Sequence, residues 1–266
     1  MADRLLSLAA GVCPETAPAD LVAACAQVGW PACGIWFDPD TWSDRVATEV
    51  RRRLDDTGLV ALDLEPVFVT PDGDHGDRAI DAAAAVGARE VLVVSRGVDE
   101  GRFAERFGEL CDRAAGHGVG CSLEFMAFMS VRTLDEALAV LDAVDRPNGH
   151  VLVDALHLAR TGGTAVDVAA VDPARLAYAQ LCQAPADPPA DLVREALDAR
   201  LVLGDPDGAL PFDDLVAALP PGTPVSMEIR SADLRTRFAD PVERAGHVLE
   251  TTLATLGGEG RGAGGQ

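Results

Sequence analysis

The chain contains no lysine: all 22 basic residues are arginine, set against 43 acidic ones, for a formal net charge of −21. Without a basic stripe it has nothing with which to neutralise a phosphate backbone, which excludes nucleic acid as a partner. The acidic balance favours solubility, and the missing lysine, alongside abundant alanine, reads as coding bias without a functional role. C-x-x-C pairs are also absent. Six cysteines (Cys13, Cys25, Cys33, Cys111, Cys121, Cys182) lie scattered in or beside apolar stretches, the pattern of buried thiols in a reduced, cytoplasmic protein. No apolar run approaches the length of a membrane span, and the opening MADRLLSLAAGVCPE is too short in hydrophobic content for a secretory signal. Membrane partners are therefore not expected.

What the chain does have is alternation. Eight short apolar runs recur near residues 5–10, 33–37, 59–65, 90–95, 119–125, 150–157, 175–182 and 224–230. Amphipathic segments at 19–28, 43–57, 74–87, 102–116, 132–144, 188–199 and 241–256 separate them. Strand and helix repeated eight times predict an α/β fold, a single (β/α)8 TIM barrel spanning residues 1–256. The segment LARTGGTAVDVAAVD between the sixth and seventh strands is the least regular, with its helix shortened or broken at Gly162 and Gly163. Thr133 with Glu136 predicts a capping box, and Asp240-Pro241-Val242-Glu243 a second helix start. The tail at 257–266 is too glycine-rich to pack and is expected to be a flexible end.

Four polar residues close successive runs in the second half: Glu124 in CSLEF, Asp154 in VLVDALH, Gln180 in LAYAQLC and Glu228 in VSMEIR. Strand ends of such a barrel point into the active-site mouth, so four in order outline an oxygen-rich site for a hard divalent cation. Any one of them alone would be as well explained by satisfying backbone groups. Period-two alternation places Ser226 and Arg230 on the inward face with Glu228, and Ser122 with Glu124.

The segments LEFMAF, VLVDALHLARTGG, YAQLCQAP and VSMEIRSADL resemble the sugar phosphate isomerase/epimerase superfamily, whose fold is the xylose isomerase-like TIM barrel. The resemblance runs from about residue 5 to 255 and is strongest from 119 onward. It implies one divalent metal held by Glu124, Asp154, Gln180 and Glu228, with His157 of the D-x-x-H element lining the substrate site. The chain departs from the family pattern at Gln180, where histidine is usual, and at Gln183, where relatives carry aspartate. An amide oxygen in place of imidazole shifts the expected metal toward Mn²⁺ or Mg²⁺, with Co²⁺ or Zn²⁺ as the softer alternatives. Apurinic endonucleases share the barrel but use a histidine-rich multi-zinc site and a basic surface; five histidines and a charge of −21 do not suit that chemistry.

The expected activity is a metal-dependent isomerase or epimerase of carbohydrate metabolism. It would act on a small sugar, keto-sugar or polyol-type molecule by proton transfer through an enediolate, with Glu124 and Glu228 as acid and base in either order. A dehydratase on the same scaffold and a degenerate ligand-binding barrel are the alternatives. Substrate contacts are expected from Glu65, Trp36, Arg96 and Arg230, the arginines clamping a carboxylate or phosphate and Trp36 stacking on a ring face. Phe37, Phe125, Met126 and Phe128 would supply apolar walls. A homo-oligomer is compatible with the sequence, which does not address assembly.

Overall fold

The structure, a computed structural model, describes residues 4–257. Its parallel strands are β1 (Leu6–Leu8), β2 (Ala32–Trp36), β3 (Val60–Val69), β4 (Glu90–Ser95), β5 (Gly120–Glu124), β6 (Gly149–Asp154), β7 (Ala179–Leu181) and β8 (Val225–Met227). Each pairs with the next and β8 returns to β1, which closes the barrel. Around it lie α1 (Pro18–Val28), α2 (Asp44–Thr57), α3 (Gly76–Val86), α4 (Glu100–Ala115), α5 (Leu134–Val144), α6 (Ala155–Arg160), α7 (Ala165–Ala169), α8 (Leu192–Asp198), α9 (Phe212–Ala218), α10 (Ala232–Arg237) and α11 (Pro241–Gly257).

The strands are short and buried on both faces because each separates two apolar layers. In β4, Leu92 and Val94 join Ala32, Leu62, Leu152 and Tyr178 in the lumen, whereas Val91 and Val93 pack outward under the helices. The helices answer with one apolar face each. In α2 that face is Ala47, Val50 and Leu54, and in α4 it includes Phe103 and Phe107, stacked with ring centroids 6.0 Å apart. Burying one such side chain contributes about 1.5–3 kcal/mol, and Phe107→Ala would cost about 3–5 kcal/mol.

The observed elements refine the expected ones. β3 continues to Val69, so Glu65 lies within that strand instead of ending it, just before a cis Pro66. The expected helix at 188–199 contracts to α8, and α9 and α10 were not anticipated. Helices of six or seven residues span fewer than two turns, too few for a period to show. The region between β6 and β7 is broken as expected, into α6, α7 and a 3-10 turn at Pro173–Arg175. At α5, Thr133 caps the Glu136 amide at 3.2 Å, but the Glu136 carboxylate accepts from the Arg132 N–H, one residue before the cap. The expected capping box is therefore half formed. Asp240 does cap α11, accepting from the Val242 N–H. The tail expected at 257–266 lies, from residue 258, outside the described residues.

Candidate active site

Strand ends gather the predicted residues at one mouth. Asp154 on β6, Gln180 on β7 and Ser226 on β8 stand side by side in register, and neighbours in a parallel register point the same way. Glu124 ends β5, and Glu228 follows β8 directly. A cleft of about 360 Å³ is lined by Glu65, Glu124, His157, Gln180 and Glu228 together with Arg96, Arg200 and Arg230. Trp36 does not line it: its ring lies under Arg230, with the guanidinium carbon 5.5 Å from the ring centroid. Of the expected apolar walls, Met126 and Phe128 border the cleft, while Phe37 and Phe125 belong to the outer core.

Asp154 does two things. Its Oδ1 caps α6, accepting from the N–H groups of Leu156 (2.9 Å) and His157 (3.0 Å). Its Oδ2 accepts from Nη1 of Arg200 at 2.6 Å, and both side chains are buried. Arg200 also donates from Nη1 to the Glu228 carbonyl (3.2 Å) and from Nε to the Ala196 carbonyl (2.9 Å), and its Nη2 lies 3.3 Å from Nε2 of His157. A guanidinium can only donate, so Nε2 accepts and the neutral imidazole carries its proton on Nδ1. Burial holds His157 in that neutral form, with its pKa depressed to about 4. Burial is the largest influence and works to raise the Asp154 carboxyl, but the Arg200 charge, His157 and the hydrogen bonds that Asp154 accepts from both together keep the group below the usual carboxylate range.

The other acids lack such a partner. Burial raises Glu124 well above its ordinary value, and the neighbouring Asp154 charge adds to the rise. Glu228 is also raised by burial, against the opposing pull of Arg200 and Arg230. Glu65 rises for the same reason, with Glu228 and Asp63 as its nearest repelling charges. Two glycines let these carboxylates crowd the backbone. A Cβ on Gly11 would sit 2.5 Å from Oε1 of Glu228, and one on Gly34 would meet Asp63 Oδ1 at 2.8 Å and Glu65 Oε1 at 3.1 Å. Beneath the mouth, Asp63 accepts from the hydroxyl of Tyr178 at 2.7 Å. Burial pushes Asp63 up to about 7 even so.

Among the described residues, no group of three or more His, Cys, Asp or Glu side chains is gathered for a metal ion. The donor chemistry nonetheless fits a hard divalent cation. Both amide atoms of Gln180 and Oε2 of Glu228 are buried without a hydrogen-bond partner, and buried polar atoms ordinarily have one. Glu124 and Glu228 are carboxylates whose charge the protein only partly offsets, and Asp154 would share its Oδ2 between Arg200 and the ion.

Sequence reasoning missed Arg200, Asp63 and Tyr178. The segment DARLVL around Arg200 carries no motif, and its partner Asp154 lies 46 residues away. Asp63 alone had a local signal, a charge inside the apolar run LVALDLE. Gln183 is structural: its amide donates to the Leu210 carbonyl (3.0 Å) and accepts from the Leu210 N–H (2.8 Å). An aspartate there could not donate, so the amide is what pins the chain between α8 and α9.

A profile of the xylose isomerase-like TIM barrel family matches residues 22–252, and the chain belongs to that family. No protein of curated function matches it in sequence. Among solved structures it is similar to a xylose isomerase-like TIM barrel/4-hydroxyphenylpyruvate dioxygenase fusion protein, with TM-score 0.81, 18% identity, and coverage of 94% of this chain but 42% of that one. The chain thus spans less than half of the fusion protein. It is also similar to the IolI protein with a bound zinc atom (TM-score 0.78, 17% identity, 94% and 97% covered). A D-allulose 3-epimerase from Methylomonas sp. in complex with D-allulose follows the same fold (TM-score 0.72, 20% identity, 95% and 97% covered). These structural similarities, at identities of 17–20%, show a shared fold.

Proposed function

We propose that the chain is a divalent-metal-dependent isomerase or epimerase acting on a small sugar, keto-sugar or polyol-type molecule. The observation that carries this is the pair Glu124, at the end of β5, and Glu228, just after β8, buried acids both raised and flanking Asp154 and the unpartnered Gln180 amide. A carboxyl raised toward neutrality can hold a proton in one step and release it in the next, as a base that becomes an acid requires. In this reading one glutamate removes a proton from the carbon next to a carbonyl and the other returns one to the opposite face. Glu124, Asp154, Gln180 and Glu228 would hold the metal, Mn²⁺ or Mg²⁺ by their all-oxygen chemistry. When bound, such an ion polarises the carbonyl as a Lewis acid.

The other side chains have supporting roles. Neutral His157 lines the cleft wall, edge-on to Phe128 with centroids 5.7 Å apart, its Nε2 held by Arg200. Arg200 keeps Asp154 ionised. Arg230 faces Glu65, Glu124 and Glu228, lowering the cost of their charges. A cytosolic setting is supported by six free, buried cysteines, and among the described residues no helix is long and apolar enough to cross a membrane.

Elimination of water is the second reading, and Glu65 favours it. This third raised carboxyl enters the cleft from β3, across the barrel from Gln180 on β7, where it could protonate a departing hydroxyl. Candidate ketoses and hydroxy-ketones incubated in D2O with Mn²⁺ test both readings. The isomerase reading expects solvent deuterium in recovered sugar, and the lyase reading expects an unsaturated product. Metal analysis of the purified protein should find about one divalent ion per chain. A protein that binds no divalent ion and exchanges no carbon-bound hydrogen would be a ligand-binding barrel and not an enzyme of either kind.

A further inference from the structure

Among the described residues twelve arginines are paired with acids, including Arg106 with Asp74, Arg160 with Glu195 and Arg200 with Asp154. Arg96 is different. It follows β4 two residues beyond Val94 and four beyond Leu92, on the alternation that faces the lumen. Its backbone N–H extends the β3–β4 pairing by donating to the Val69 carbonyl at 2.9 Å. Its guanidinium carbon lies 3.8 Å from the centroid of the Phe68 ring, close enough for a cation–π contact that fixes the head without neutralising it. Among the described residues no carboxylate comes within ion-pair distance of it, in a chain with 43 acids. The charges that act on Glu65, Glu124 and Glu228 come from Arg200 and Arg230, not from Arg96.

Position sharpens the point. β4 and β8 are four strands apart in a closed barrel of eight, so Arg96 and Arg230 face each other across the mouth. On the β4 and β5 side with Arg96 the cleft is lined by Leu92, Met126, Phe128 and Met129, while Val193 and Leu197 of α8 line it from the side of β7 and β8. Neutral hydrogen-bonding side chains in the lining are limited to His157 and Gln180, both on the acid side. A fully hydroxylated neutral sugar would leave its hydroxyls unpaired against this wall, at a cost for each.

We propose that Arg96 anchors a carboxylate on the substrate, and that the substrate is a compact hydroxylated carboxylic acid with an apolar face. Its reacting end lies under Glu124 and Glu228, and its anionic end lies across the cleft on Arg96. One guanidinium suits a monoanion, and its planar fork matches a carboxylate bidentately. The apolar wall covers the hydrocarbon between the two ends. This rests on the proton-transfer reading of the same site and adds the substrate class to it.

The test is calorimetric binding of three probes to the full chain with and without Mn²⁺: quinate as a cyclitol carboxylate, myo-inositol as its neutral counterpart and glucose 6-phosphate. Wild type should prefer quinate to both. Arg96→Met, which keeps an apolar contact on Phe68 without the charge, should weaken quinate about 10- to 100-fold, the worth of one charge-assisted hydrogen-bonded pair, and leave myo-inositol unchanged. Arg96→Lys should restore part of the loss. Equal quinate binding by wild type and Arg96→Met, a wild type that prefers myo-inositol or fails to bind quinate, or a preference for the phosphate would each overturn the assignment. Mn²⁺ affinity, measured separately, keeps the two ideas apart. Lost metal binding in wild type with an intact quinate preference sinks the proton-transfer reading alone, and normal metal binding with no carboxylate preference sinks this one alone.

Discussion

The two ends of the barrel carry similar residues in opposite conditions. At the floor, where strands begin, Glu90 of β4 accepts from the Ser122 hydroxyl at 2.9 Å and pairs with Nδ1 of His150 at 3.0 Å. At the mouth, where strands end, Glu124 lies 3.7 Å from Nε2 of His157, a nitrogen already taken by an Arg200 N–H. The floor closes on itself, acid to hydroxyl to imidazole. The mouth leaves Gln180, one oxygen of Glu228 and Nε of Arg230 buried and unanswered. An acid beside a histidine therefore says little about function here, and the unsatisfied group says more, because burial without a partner is a cost that a ligand can relieve.

Matched substitutions at the two ends give the largest expected contrast. Glu228→Gln should cut turnover about 10²- to 10⁴-fold, the usual worth of a positioned acid or base, and lower divalent-ion affinity, while leaving the melting temperature level or raised. Glu90→Gln should keep turnover and lose stability, about 1–3 kcal/mol for the disturbed hydrogen bonds. Steady-state kinetics beside thermal melts decide it, and equal losses of turnover at both ends would erase the distinction.

Arg200 tests whether the mouth contains one structural pair of its own. Arg200→Met strands the buried Asp154 charge and should cost about 3–5 kcal/mol in urea unfolding. Replacing both members, Arg200→Met with Asp154→Asn, which removes the charge but keeps an oxygen for the Leu156 and His157 N–H groups, should recover most of that while abolishing activity. A single variant as stable as wild type would mean that the Asp154–Arg200 contact does not persist.

Asp63, between the two ends, supplies a pH signature. Its carboxyl is held at about 7 in the fold, above its ordinary 3.8. Below pH about 4 it is protonated whether folded or not and costs nothing. As pH rises toward 7 the unfolded chain ionises first, so stability falls and stays reduced above 7. Asp63→Asn should match wild type near pH 4 and exceed it progressively up to pH 7, by at most roughly 4 kcal/mol for a shift of about three units. Its partner Tyr178 is the one tyrosine of the chain, so the ring resonances of selectively labelled tyrosine in NMR spectra report directly on the contact. A stability difference independent of pH would count against a raised Asp63.

The smallest effect is expected at Gln180. Gln180→His should tighten divalent binding about tenfold and turn preference toward Zn²⁺ or Co²⁺, since imidazole is the softer donor. Competition titrations between Mn²⁺ and Zn²⁺ read this out, and an unchanged preference would remove Gln180 from the metal's surroundings.

Much of this molecule could be read along the chain. Period-two alternation and the spacing of apolar runs are local, so the sequence determined the barrel, the strand-end positions of Glu124, Asp154 and Gln180, and the inward face shared by Ser226, Glu228 and Arg230. Strand length was less legible. β3 runs past Glu65 through a proline, and β8 stops before Glu228, because pairing with neighbours sets where a strand ends. Tertiary structure alone decided which charges meet. Tyr178 reaches Asp63 across 115 residues, Arg200 rather than a neighbour in sequence holds Asp154, Arg230 covers Trp36, and Arg96 is left without a partner. Those pairings depend on barrel closure, which brings the end of β4 opposite the end of β8 and gathers charges from distant segments in one buried mouth, where the loss of water makes each contact count, with Arg96 exposed at its rim.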